Sequence, residues 1–95
     1  MKALLVEKWQ PFKNLKVKEH PIPKPEKQEY LIRIRAAGLS FATNLVVEGK
    51  YQVKPPLPFI PGTEIAGEIA STSNDQKQFF QGQRVCAVVD YGGLA

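Results

Sequence analysis

The chain has 95 residues, one domain's worth, and folding at this size hides about 60–70% of the extended chain's surface, so a core is possible without disulfide staples. Hydrophobic residues make up 43% and charged residues 23%, ordinary values for a globular protein. The net charge is +4, with nine Lys/Arg against four acids in residues 1–35; no RNP-like aromatic pattern or recognition helix accompanies it, so Lys16, Lys18, Arg33 and Arg35 read as wet faces of half-buried strands and nucleic acid is not an expected partner.

In chain order, "KALLVEKW" is a short apolar run suited to a strand. The N-terminal "MKALLVEKWQPF" has too short an apolar stretch for a signal peptide, and no run approaches the ~20 residues of a membrane span, so no membrane contact and a cytoplasmic location are expected. "NLKVKEHPIP" alternates Leu15 and Val17 with Lys16 and Lys18, the period of a strand with one wet face. "PIPKPEKQE" is a proline-rich connector. "YLIRIRAAG" alternates again, with Ile32, Ile34 and Ala36 on one face and Arg33 and Arg35 on the other, before Gly38 ends it. The period then changes. In "SFATNLVVEGKY", Phe41, Leu45 and Glu48 fall at helical spacing, Ser40 can cap the start, and Gly49 can close the end in the left-handed conformation.

"KPPLPFIPGTEIAGEIA" follows, with four prolines in the seven positions Pro55–Pro61. Proline fixes φ and removes a donor, so this arm is neither helix interior nor central strand. "EIAGEIAST" is a strand, with Gly67 a natural place for a bend. "SNDQKQFFQG" is a polar loop and turn, "QRVCAVV" a strand and "DYGG" a turn. Cys86, the only cysteine, sits among Val85, Ala87 and Val88 and reads as inert core. No internal disulfide can form, and the expected compartment is reducing. With His20 the only histidine, neither a four-ligand structural zinc site nor a three-ligand catalytic one can be assembled from Cys and His, and no metal site is expected. Short strands, Gly/Pro punctuation and one or two short helices predict a mainly β fold, a partly open antiparallel β-barrel.

"AAGLSFATNLVVEGKYQVKPPLPFIPGTEIAG" resembles the N-terminal domain of zinc-independent quinone oxidoreductases in the medium-chain dehydrogenase/reductase superfamily, whose fold is a GroES-like barrel. "MKALLVE" is similar to the family's opening strand, and "GQRVCAVVDYGGLA" to its G-D-R-V strand and Gly-Gly turn, with Gln83 in place of the Asp. The resemblance implies that the Lys54–Pro61 arm wraps one side of a catalytic cleft. It implies hydride transfer from NADPH to a quinone or activated enone, with NADP held mostly by a Rossmann domain. The G-x-G-x-x-G of that domain is missing from residues 1–95, so these residues read as an incomplete substrate-side domain, inactive alone. Tyr51 matches the tyrosine that faces the nicotinamide and can bond a substrate carbonyl; its bland alternative is a plug beside the helix. Ser40 and Phe41 match an Asn-Phe pair near the nicotinamide, with N-cap and core anchor as their alternatives, and Thr43 stands where the family usually has Asp. Tyr91 and Gly92 resemble the turn beside the cofactor. Zinc enzymes of the superfamily have Cys at the position of Ser40 and His at that of Thr63, and these hydroxyls are poor zinc ligands. Glu64 reads as a buried, hydrogen-bonded structural acid rather than a general base.

A second reading remains open: a free-standing small barrel for binding or structure, with a homo-oligomer covering its exposed edge. "KPPLPF" also has the P-x-x-P look of an SH3 ligand. The chain stops at "YGGLA" without a polar tail, which reads as a cut through a longer protein.

Overall fold

The computed structural model describes residues 1–72 and 78–95; the first half of "SNDQKQFFQG", expected as a polar loop and turn, lies outside the described residues. The fold is mainly β, antiparallel and not closed, as the strand periods predict. Strands β1 (Lys2–Leu4) and β2 (Val17–Glu19) form a two-stranded sheet. Strands β3 (Tyr30–Gly38), β4 (Glu64–Thr72) and β5 (Arg84–Val88) form a second sheet in the order β3-β4-β5. Helix α1 (Phe41–Glu48) follows β3, and a single 3-10 turn occupies Phe12–Asn14.

Only one face of the larger sheet is packed. Ile65, Gly67 and Ile69 of β4 are buried, while Glu64 and Ala66 are exposed. Two expectations fail on this alternation. Glu64 is not a buried acid: it stands on the outer face at the first position of β4, where water solvates a carboxylate at no cost. Cys86 is not core either. It is exposed beside Arg84 and Val88 on the outer face of β5, while Val85 and Ala87 turn inward. Across the sheet, β3 carries register shifts between Leu31 and Ile32 and between Ile34 and Ala36. The second leaves Arg35 without a cross-strand Cα partner, and a bulge of this kind re-aims the residues after it. Ala36 is therefore exposed rather than inward with Ile32 and Ile34, and Arg35 Nε donates to Glu68 Oε1 at 3.0 Å.

In the smaller sheet Val17 is 63% exposed, contrary to its expected inward face. Leu15 lies outside β2, just after the 3-10 turn, so it shares no pleat with Val17; it packs instead against the core of Val6, Val47 and Phe59, with Phe12 and Val46. That core joins three segments distant in sequence: the stretch after β1, α1 and the proline arm.

The arm is held by its carbonyls. Ile60, Pro61, Gly62 and Thr63 accept from the N–H groups of Gly92, Leu94, Gly93 and Val89 at 2.6, 2.9, 3.0 and 2.8 Å. Leu94 in turn accepts from the Leu4 N–H at 3.0 Å, and Phe59 and Val6 exchange both backbone bonds at 2.8 and 3.0 Å. Proline is suited to such a segment, since it offers an acceptor and leaves no donor to satisfy.

Candidate functional site

Helix α1 carries the candidate residues at its two ends. Ser40 is extended and caps the start: its Oγ accepts from the Thr43 N–H at 3.3 Å, and Thr43 Oγ1 accepts from the Ser40 N–H at 3.4 Å. The two hydroxyls lie 3.2 Å apart, and Thr43 is only 5% exposed. A reciprocal box of this kind satisfies two donors that a helix start otherwise leaves open. Ser40→Ala removes one acceptor, and we expect a loss of about 1 kcal/mol in urea unfolding; a loss below about 0.3 kcal/mol would show that water replaces the cap fully.

Phe41 points elsewhere. It is 77% exposed, so it is not the core anchor that helical spacing allows. The buried face of α1 is formed by Thr43 and Val47, offset from the expected Phe41–Leu45–Glu48 stripe, with Val47 packed against Val6 and Phe59.

The other end closes on Gly49, whose φ of 73° is the left-handed value that glycine adopts without a Cβ penalty. The N–H groups of Gly49 and Lys50 donate to Val46 O at 3.1 Å and Leu45 O at 2.8 Å. Tyr51 emerges two residues later and is half-buried. With a rise of about 1.5 Å per residue, the two ends of this eight-residue helix lie about 12 Å apart. The fold thus brings Ser40 and Thr43 into contact but sets Tyr51 at the opposite end.

Tyr91 belongs to the turn that holds the arm. Its ring meets Phe59 edge-on, with centroids 6.2 Å apart, yet it stays 46% exposed. Beside it, the space next to Gly92 is open where a Cβ would project. Phe59 also meets Trp9 at 6.0 Å, so one buried ring supports two half-exposed ones. Neither Trp9 nor Phe59 is singled out by the sequence: Phe59 lies within the proline arm, and the signal for Trp9 is that it is the single tryptophan, close to an apolar strand.

Two surface depressions, one beside Glu7, Lys8 and Lys18 and one between β1, β3 and Leu94, are lined by none of Ser40, Phe41, Thr43, Tyr51, Tyr91 and Gly92. Among the described residues no three His, Cys, Asp or Glu side chains are grouped to hold a metal ion, and no helix is long and apolar enough to cross a membrane.

Residues 26–93 match the family "Alcohol dehydrogenase GroES-like domain". Rat quinone oxidoreductase-like protein 2 is 37% identical over 93 residues, covering 98% of this chain and 26% of its own length. The chain therefore spans about a quarter of the length of the curated relatives it matches. Human synaptic vesicle membrane protein VAT-1 homolog-like protein superposes with a TM-score of 0.90 at 29% identity, over 99% of this chain and 30% of that one. The Thermus thermophilus quinone oxidoreductase, solved alone and with NADPH, superposes with a TM-score of 0.79 at 34% identity, over 100% of this chain and 28% of that one.

Proposed function

Because this chain belongs to the alcohol dehydrogenase GroES-like domain family, we propose that it forms the substrate-side part of an NADPH-dependent, zinc-free oxidoreductase acting on a quinone or activated enone. The observation that carries the reading is the likeness, along the whole chain, to an enzyme solved with NADPH. Two surface features support it: the exposed rings of Phe41 and Tyr91, and the open space beside Gly92. A planar nicotinamide edge would fit beside Tyr91 and Gly92, since aromatic faces take flat rings and a glycine lets a ligand approach the backbone.

Phe41, Tyr91 and Gly92 are the residues of this chain that would border the cofactor, and bound NADPH would supply a hydride. The chain's own contribution is orientation and charge stabilisation. The Tyr51 hydroxyl would donate a hydrogen bond to the substrate carbonyl oxygen, which gains negative charge as the carbonyl system is reduced. The proline arm would wall one side of the cleft, its four prolines offering no N–H groups to compete for that oxygen. Ser40 and Thr43 spend their hydroxyls on each other, which suits a helix start that carries no metal. A single cysteine in an exposed position goes with a reducing, cytoplasmic setting.

The test is reduction of 1,4-benzoquinone, followed as loss of NADPH absorbance, by the protein as its gene encodes it. Tyr51→Phe should lower kcat by about 100-fold, the usual effect of removing one such donor, with little change in KM for NADPH. A variant that keeps the wild-type kcat would remove Tyr51 from the chemistry. A wild-type protein that oxidises no NADPH with either a quinone or an enone would sink the enzyme reading itself. A second reading, a binding barrel that pairs with another surface, is favoured by the uncovered outer sheet face, where Val88 is 84% exposed.

A further inference from the structure

We infer that Trp9 is the positioning residue for Tyr51, acting through the C-terminal cap of α1; the inference rests on the role given to Tyr51 above. Three backbone carbonyls in the last turn of α1 are already taken. Leu45 O accepts from Lys50 and Val46 O from Gly49, while Val47 O accepts from the Gln10 N–H at 3.1 Å. The third partner comes from a loop some forty positions earlier, so the N-terminal segment supplies part of the cap. Trp9, next to Gln10, lies over Gly49 so closely that a Cβ there would be 2.8 Å from Cδ2 and 2.9 Å from Cγ of the indole. The indole also meets the buried Phe59 ring at 6.0 Å and 52°. The turn at Gly49 is therefore pressed between the helix it ends and an indole braced by the core.

Tyr51 is only two residues past that turn. Its backbone direction follows from the left-handed Gly49, which lies against Trp9, and from the two bonds that Gly49 and Lys50 make to the end of the helix. Trp9 thus sets where the Tyr51 hydroxyl is presented. Displacement of about 1 Å at such a group can cost about 100-fold in rate.

The test uses the full protein with NADPH and 1,4-benzoquinone. Trp9→Ala and Trp9→Phe are each made alone and in the Tyr51→Phe background. Trp9→Ala should lower kcat by about 10-fold or more with KM for NADPH nearly unmoved, and Trp9→Phe, which keeps a flat ring over Gly49, should restore most of it. In the Tyr51→Phe background Trp9→Ala should cost less than about 2-fold further, because the two act as one unit. Amide exchange at Gly49 and Lys50 should quicken in Trp9→Ala while the amides of β4 keep their protection. An unchanged kcat, or a full loss repeated in the Tyr51→Phe background, overturns the inference while Tyr51 keeps its role. If Tyr51→Phe alone leaves kcat intact, the reading of Tyr51 fails and the inference falls with it. Should Trp9→Ala not fold, Trp9→Leu is judged by the same criteria.

Discussion

Replacing Gly67 by alanine lowers the stability of the fold by about 3 kcal/mol or more, beyond the ordinary range of overpacking changes. A Cβ at this position would stand 2.0 Å from the carbonyl oxygen of Arg33 and 2.9 Å from its carbonyl carbon. Both are backbone atoms of the neighbouring strand, so no side chain can swing aside. The site is also where β3 is least able to shift, since Gly67 pairs with Ile34, immediately before the bulge. Relief would require parting β3 from β4, the central ladder of the larger sheet. Gly82→Ala provides the control: its φ is 88° with nothing within 4 Å of the added Cβ, so it carries the left-handed penalty of about 1 kcal/mol alone. Urea unfolding followed by far-UV circular dichroism measures both. If Gly67→Ala is no less stable than Gly82→Ala, the close approach of β4 to β3 is not what fixes glycine there.

Phe59→Ala should cost about 3–5 kcal/mol, the range for deleting a buried aromatic ring. Phe59 is 3% exposed and is the arm's contribution to the core with Val6 and Val47. Its removal leaves a void and withdraws support from Trp9 and Tyr91, the two rings that lean on it. A fold of this size is stable by only about 5–15 kcal/mol, so the variant should lose much of its margin. Trp9 is the only tryptophan, so its fluorescence reports the same event from the neighbouring ring. The expected result is a large drop in the urea midpoint together with a red shift of native-state emission. A loss below about 1 kcal/mol would mean the surrounding chain collapses into the void, and the arm would then be anchored by its backbone hydrogen bonds alone.

The two effects differ in kind. Gly67 is constrained by backbone approaching backbone, which has no slack. Phe59 is constrained by packing, which relaxes in part. The first should therefore tolerate no side chain, while the second should accept Leu or Met at a smaller cost.

Local features of the chain were legible in the sequence by themselves. Ser40 and Gly49 bracket α1 because capping and left-handed closure depend on residues within a few positions. The four prolines of Pro55–Pro61 ruled out regular structure in the arm whatever it packs against. The alternation in "EIAGEIAST", phased on Ile65 and Ile69, contains the exposed position of Glu64. What the tertiary structure alone decided was which face each element turns inward. Cys86, Val17 and Ala36 are exposed because each strand finds cover on one side at most and a bulge shifts the phase within β3. Phe41 is exposed because α1 turns Thr43 and Val47 inward, with Val47 packed in the core against Val6 and Phe59. The links from Trp9 to Gly49, from Phe59 to Tyr91 and from the arm to the turn at Gly92 join residues some 30 to 40 positions apart. Propensity and period act over a turn or a pleat, whereas these contacts exist only once the chain has closed on itself.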